Sequence, residues 1–511
     1  MSRFETWSSR KLAAQCIISR LDCDKYIEDE EYRNKIQQLV KFDIGGFCIF
    51  NGTTETTKNI IVELQVISDI PLFFCADFEN GVTMRLEDGN EFPHAMAMGK
   101  TGEFTSQIAT AIAKESKDLG VSWNLAPVCD INSNPMNPVI NIRSFGEESS
   151  VVTKNIIEYI RFTQKEHILA CAKHFPGHGD TSIDSHVAFP VICKSKDDFI
   201  NELAPFYAAI SNDVKSIMVG HIFIKNIDDK YPASFSYKIV TDILKNKLNF
   251  EGIIITDALD MKAITNNYSL EETIYLVFHS GCDVFLMPYD VLEAINILTI
   301  IIESNKKYRN RIENSVNKIY NAKRWANLIP QYAKHNEKPQ VFIEHQKMAL
   351  KAALQAVEFI GNSKDIIPIP EDSDFAVFSI LQKTEDVRAA TRFFTMLSGA
   401  VENDCDFAYI DENISEDELN SMYEQIKDVK FLIFNLFYRG RGYAKLGNPE
   451  KLNNIILKLA KAKDYFIIFF GDPYIANFIK SDLKIITFSD SFPSLAAAVM
   501  KITGRTLPDN Y

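Results

Sequence analysis

Along the first 330 residues, short apolar runs alternate with longer segments that mix polar and apolar positions. The runs are QCIISRL (15–21), GGFCIF (45–50), LFFCADF (72–78), VSWNLAPV (121–128), ILACAKHF (168–175), SIMVGHI (216–222), GIIITDAL (252–259) and CDVFLMP (282–288). Continuous apolar stretches of this length suit parallel strands buried on both faces. The segments near 29–42, 55–69, 103–119, 149–166, 197–211, 235–249 and 270–280 have helical character, and a last helical stretch covers 290–328. Eight strands alternating with helices predict an α/β fold, a (β/α)8 TIM-type barrel over 1–330.

Residues 331–345 are polar, and the stretch PQYAKHNEKPQVFIEH (330–345) holds two prolines, so they read as a linker. The pattern resumes with a helix, HQKMALKAALQAVEFI, ending at Gly361. New apolar runs follow at DFAVFSI (374–380), DFAYID (406–411), KFLIFNLF (430–437), DYFIIFFG (464–471) and LKIITFS (483–489). They predict a smaller α/β domain over 346–511, built on a parallel open sheet. FNLFYRGRGY (434–443) reads as a surface loop.

Polar residues cluster where the barrel strands end: Asp22, Asn51, Asp77 with Glu79, Asp130, Lys173 with His174, His221, and Asp257. In a barrel those ends converge on one face, where active sites lie. Strands ending in solvent also end in polar residues, and an Asp after a strand often caps a helix. Asp242 and Asp260 are read as caps.

The chemistry concentrates in AKHFPGHGDTSIDSHVAFP (172–190). Pro176, Gly177 and Gly179 force an irregular loop that carries His178, Asp180, Asp184 and His186. Asp184 and His186 are two positions apart, so a bent loop lets the carboxylate hold one imidazole nitrogen. Such a bond fixes the tautomer and raises the basicity of the other nitrogen. A proton donor of that kind suits cleavage of an alkoxide leaving group. Asp257, closing GIIITD, is placed to be rigid and partly desolvated, as a nucleophile toward a cationic sugar-like centre needs to be. Lys173, His174 and Arg143 are candidates for binding hydroxyls, and Asp77 for accepting hydrogen bonds from two vicinal ones. A metal reading, with His174, His178, Asp184 and His186 as ligands, competes. Against it stand the missing HxH or HExxH spacing and the lysine beside the first histidine.

Composition narrows the classes. A formal net charge of −13 argues against a nucleic-acid partner. Nine cysteines without a CxxC pair suggest buried thiols in a reducing compartment rather than a disulfide framework. No apolar run approaches the ~20 residues of a spanning helix, and the N-terminus lacks a signal-like apolar core. The expectation is a soluble cytoplasmic protein with no membrane partner, no metal and no cofactor.

KHFPGHGDTSIDSH (173–186) resembles the signature of family 3 glycoside hydrolases, in their β-N-acetylglucosaminidase branch. DFENG (77–81) with Arg85 resembles the family's DxExG…R segment, and NPVINIRSFG (137–146) its N-P-x-I…R-S-F-G segment. SIMVGHI (216–222) and TDALDMKAI (256–264) occupy the expected later positions, VEFIGNSKDIIPI (357–369) resembles the entry to the second domain, and FFGDPYIA (469–476) resembles part of its close.

The resemblance implies a retaining exo-β-N-acetylglucosaminidase. Asp257 matches the nucleophile, and His186, oriented by Asp184, matches the acid/base. Asp77, Arg85, Arg143, Lys173, His174 and His221 match sugar-site positions. A neutral imidazole in the acid/base role would avoid repulsion with the nucleophilic carboxylate. The expected partner is a small carbohydrate containing N-acetylglucosamine: a peptidoglycan fragment (hence peptidoglycan turnover), a chitin oligosaccharide or a glycan. The chain departs from the family pattern at Asn80, Gly81 and Val82, at Asn141 and at Ala258, which bears on subsite fit and leaves the catalytic set intact. Alternatives are a phosphorylase using phosphate as acceptor, a catalytically silent carbohydrate-binding protein, and a metal-dependent hydrolase.

Overall fold

The computed structural model describes residues 4–181, 189–192, 196–329, 342–362, 367–369, 373–401, 405–429, 431–438 and 448–506. Contacts divide the chain into two units. The first comprises Met1–Asn90, Thr105–Asn134 and Gly146–Phe342, and the second Glu91–Phe104, Pro135–Phe145 and Ile343–Tyr511. Two segments that the sequence pattern assigns to the barrel, 91–104 and 135–145, thus belong by contact to the second unit.

Eight parallel strands form the first unit: β1 (Ile17–Asp22), β2 (Gly46–Asn51), β3 (Phe73–Ala76), β4 (Trp123–Asn124), β5 (Leu169–Phe175), β6 (Ser216–Val219), β7 (Ile253–Thr256) and β8 (Phe285–Leu286). They pair in chain order, β8 returns to β1, and a parallel bridge from Ile255 to Val284 carries the pairing from β7 toward β8. All eight fall on the expected apolar runs, β1 and β2 each ending one residue beyond theirs, at Asp22 and Asn51. Every residue of β3, β5, β6 and β7 is buried, which is why those runs lack alternation.

The helices start where local chemistry allows. Asp29 caps Glu30–Lys41, Thr53 and Thr56 form a reciprocal cap on Thr54–Val66, and Ser269 with Glu272 does the same for Leu270–Ser280. Gly281, at φ 116°, ends that last helix in a backbone conformation that other residues resist. The helical stretch expected over 290–328 is two helices, Val291–Ser304 and Lys306–Trp325. Asn305 is extended between them and its side chain accepts from Lys307 N, so it starts the second helix rather than continuing the first. Asp242 lies inside the π-helical segment Lys238–Lys247, and Met261 occupies the cap of Lys262–Thr265, so neither Asp242 nor Asp260 is the cap expected.

Charge is buried at the end of the barrel where the strands begin. Asp283, ahead of β8, accepts from Ser315 Oγ (2.6 Å), Lys318 Nζ (3.1 Å) and Ile254 N (3.1 Å). Lys323 is fully buried, and its Nζ donates to Gln15 Oε1 at 2.9 Å. Burial pushes its ammonium down to about 7.

The second unit contains β9 (Glu358–Gly361), β10 (Phe375–Leu381), β11 (Asp406–Asp411), β12 (Phe431–Tyr438), β13 (Asp464–Gly471) and β14 (Leu483–Ile486), in the spatial order β9-β14-β13-β12-β10-β11. All pairs are parallel except β9 with β14. Apolar side chains pack on both faces: Phe378, Phe434 and Phe469 on one, Val377, Ile433 and Phe466 on the other. The helix expected to run to Gly361 stops at Ala356. VEFIG then pairs with β14 as an edge strand whose side chains are largely exposed, so no alternation in burial marks it. Of FNLFYRGRGY, 434–438 end β12 and the remainder lies outside the described residues. Among the described residues, no helix is long and apolar enough to cross a membrane.

Candidate active site

The strand ends place the first group of residues. Asp77 follows β3, and its backbone neighbours are pinned: Phe78 N donates to Asn124 Oδ1 and Phe78 O accepts from Asn124 Nδ2, each at 3.1 Å, while Tyr159 OH also donates to Phe78 O. Lys173, near the end of β5 and 1% exposed, places Nζ 2.7 Å from Asp77 Oδ1 and 2.7 Å from Glu79 Oε1. The Arg85 guanidinium bonds the other Asp77 oxygen and lies 4.6 Å from the centre of the Phe50 ring. Two cations and two anions thus alternate in one partly buried cluster. Burial alone would push the Asp77 carboxyl up, but Lys173 and Arg85 outweigh it and hold the group well below the usual carboxylate range. Asp77 remains an ionised acceptor.

The second group sits where β5 runs into its loop. Asp130, with no exposed side-chain surface, accepts from His174 Nδ1 at 2.7 Å and from His178 N at 2.8 Å. His178 Nδ1 lies 2.7 Å from Thr181 Oγ1. Gly179 is demanded by close approach, because a Cβ there would fall 1.5 Å from Ile131 O.

Asp257 follows β7. It is half-buried, its N donates to Val219 O at 2.9 Å, and its Oδ1 accepts from Ala258 N at 2.8 Å. His221 lies beneath this turn with no exposed surface, its Nδ1 2.7 Å from Ser234 Oγ and its Nε2 3.1 Å from Ala258 O. Both ring nitrogens are therefore engaged by protein groups. Burial pushes the imidazole down and outweighs the nearby Asp257 charge, so the ring is neutral.

β5 and β7 flank β6, so their ends stand roughly 10 Å apart. Asp257 and the Lys173–His174 pair therefore lie on one rim, on strands separated by β6 alone. Arg143 belongs to the second unit, on the turn Asn141–Arg143, where its Nη1 donates to Val139 O at 3.1 Å. Asp184 and His186 lie outside the described residues. Asp22 and Asn51 support each other: Asn51 Nδ2 donates to Asp22 Oδ1 (2.8 Å) while Asp22 caps the helix Cys23–Glu28. The contacts of Glu79 with Lys173, of Asp130 with His174 and of Ser234 with His221 were not readable from spacing, though Glu79 stands in the DFENG motif. Among the described residues, no group of three or more His, Cys, Asp or Glu is placed to hold a metal ion.

An eight-stranded barrel bearing acidic and basic groups on the rim where its strands end, joined to a doubly covered open sheet, defines the class. The model described as Glycosyl hydrolase family 3 N terminal domain matches residues 19–322, and the chain belongs to that family. Among its relatives, a β-hexosaminidase A of Pseudoalteromonas piscicida is 30% identical over 380 residues, covering 66% of this chain and 63% of the relative. A β-N-acetylglucosaminidase/β-glucosidase of Cellulomonas fimi is 26% identical over 366 residues, covering 68% of this chain and 64% of the relative. The chain thus matches less than two thirds of the length of either. In fold it is similar to a family 3 β-N-acetylglucosaminidase from Paenibacillus sp. str. FPU-7, with a TM-score of 0.85, 23% identity, and coverage of 98% of this chain and 97% of that one.

Proposed function

We propose that the chain is a glycoside hydrolase, a retaining exo-β-N-acetylglucosaminidase that removes terminal β-linked N-acetylglucosamine. The observation that carries this reading is the common rim: Asp77 follows β3, Lys173 and His174 lie at the end of β5, and Asp257 follows β7, with Arg85 bonded to Asp77. Asp77 and the neighbouring donors hold the sugar hydroxyls. Asp257 attacks the anomeric carbon while His186, oriented by Asp184, protonates the departing glycosidic oxygen. The covalent glycosyl–Asp257 ester is then attacked by water, from which His186 takes the proton. His221, with both nitrogens engaged, supports the Asp257 turn rather than touching sugar.

Seven of the eight described cysteines are buried as free thiols, which supports a reducing, cytoplasmic setting and a soluble N-acetylglucosamine-containing fragment as substrate. Peptidoglycan turnover is one process that would supply such fragments.

The test is release of nitrophenol from p-nitrophenyl N-acetyl-β-glucosaminide. Asp257→Ala is expected to abolish it with the fold intact, and retention of more than a few per cent would reject the nucleophile. Sugar 1-phosphate formed in phosphate buffer would instead assign a phosphorylase. Tight sugar binding without turnover by the wild type would assign a binding protein.

A further inference from the structure

We propose that Asp130 is a positioning residue that makes His174 a hydrogen-bond acceptor toward a substrate hydroxyl. This rests on the reading of His174 as a sugar-binding residue.

The geometry is that of a clamp. The buried Asp130 carboxylate takes His174 Nδ1 at 2.7 Å, His174 N at 3.2 Å and His178 N at 2.8 Å. One side chain thereby fixes both the ring and the backbone turn from 174 to 178. Two backbone N–H groups, of His174 and His178, donate to the Asp130 oxygens and favour the ionised carboxylate whatever charge the ring carries. An ionised carboxylate only accepts, so Nδ1 must carry the hydrogen. In the neutral ring Nε2 then presents a lone pair. Among the described residues no protein group bonds Nε2, and the side chain keeps 7% of its surface exposed.

A lone pair there reads a hydroxyl by its hydrogen. Replacing that hydroxyl with fluorine, which cannot donate, should then cost as much as replacing it with hydrogen. If Nε2 donated instead, fluorine would be tolerated better than hydrogen. Asp130 thus sets the polarity of one subsite contact without meeting the sugar.

The experiment measures kcat and KM for p-nitrophenyl N-acetyl-β-glucosaminide and for counterparts in which each free ring hydroxyl in turn becomes hydrogen or fluorine. For the wild type, one position should lose roughly tenfold in kcat/KM with either replacement, the scale of one hydrogen bond. Asp130→Asn should raise KM for the parent glycoside and abolish the extra loss at that position. Fluorine tolerated at every position, or Asp130→Asn keeping the wild-type pattern, overturns the proposal. If Asp130→Asn does not fold, the wild-type ring decides. Its nitrogen resonances, assigned by comparison with His174→Gln, should show Nδ1 protonated and Nε2 bare, and the reverse overturns the proposal. A wild type inactive on every glycoside would reject the functional reading, while the ring spectrum would still decide the tautomer.

Discussion

Lys173 Nζ lies 2.7 Å from Asp77 Oδ1 although 96 positions separate the two residues in the chain. The same ammonium meets Glu79 at 2.7 Å, so one buried cation touches both carboxylates, with Arg85 sharing Asp77. Removing one partner of such a pair is costlier than never having built it, because the remaining charges stay buried. Lys173→Met is therefore expected to lose ~3–5 kcal/mol of unfolding free energy together with substrate binding. Urea unfolding and the KM for the nitrophenyl glycoside check both, and a variant within 1 kcal/mol of wild type would show that the cluster is well solvated.

His221 should act on rate rather than on affinity. Its Nε2 donates to Ala258 O and its Nδ1 accepts from Ser234, which fixes the backbone that aims Asp257. His221→Phe fills similar space but leaves both partners unpaired, at about 1–3 kcal/mol. We expect kcat to fall with KM little changed, and a variant altered in KM alone would return His221 to the sugar's surroundings.

The barrel was legible because its strands are buried on both faces: LACAKHF and IIIT carry no polar interruption until the rim. β9 was not, since an exposed edge strand of mixed polarity continues from a helix without a break in pattern. Asp77, Arg85 and Lys173, named from separate motifs, meet in one ionic cluster, and spacing alone could not tell which polar strand ends pair with which partners. Asp22 and Asn51 look like Asp77 in sequence, but they bond each other and backbone N–H groups, whereas Asp77 bonds Lys173 and Arg85. Asp130 was visible as one more polar strand end, and its hold on His174, 44 positions away, is a product of the β4 and β5 ends lying side by side.

Gly179→Ala tests the loop without altering any charge. Its Cβ would meet the backbone oxygen of Ile131 at 1.5 Å, so the loop that bears His178 must move. A displacement of about 1 Å near a reacting group costs on the order of a hundredfold in rate. That fall in kcat/KM is expected, measured beside the Tm of the same variant. Wild-type activity would show that 173–181 shifts without consequence for the site.

Lys323, at the opposite end of the barrel, supplies a pH prediction of known sign. In the folded chain its ammonium gives up its proton near pH 7, whereas in the unfolded chain it holds it to the ordinary value of 10.5. Between those values the unfolded state binds the extra proton, so this residue makes stability rise with pH, by at most about 1.4 kcal/mol per unit. Below the lower value the buried ammonium is charged and its destabilising effect is fully present. Lys323→Met removes the group and leaves Gln15 still bonded through Nε2 to Asp43 O at 2.6 Å. The variant should be more stable than wild type near neutral pH, and the gap should close as pH approaches 10.5. Burial holds the nearby Cys16 thiol well above its ordinary value, so in both folded proteins it stays protonated across that range. Urea unfolding of the two proteins across that range reads the gap directly, and a gap that stays constant with pH would mean that Lys323 remains charged in the folded chain.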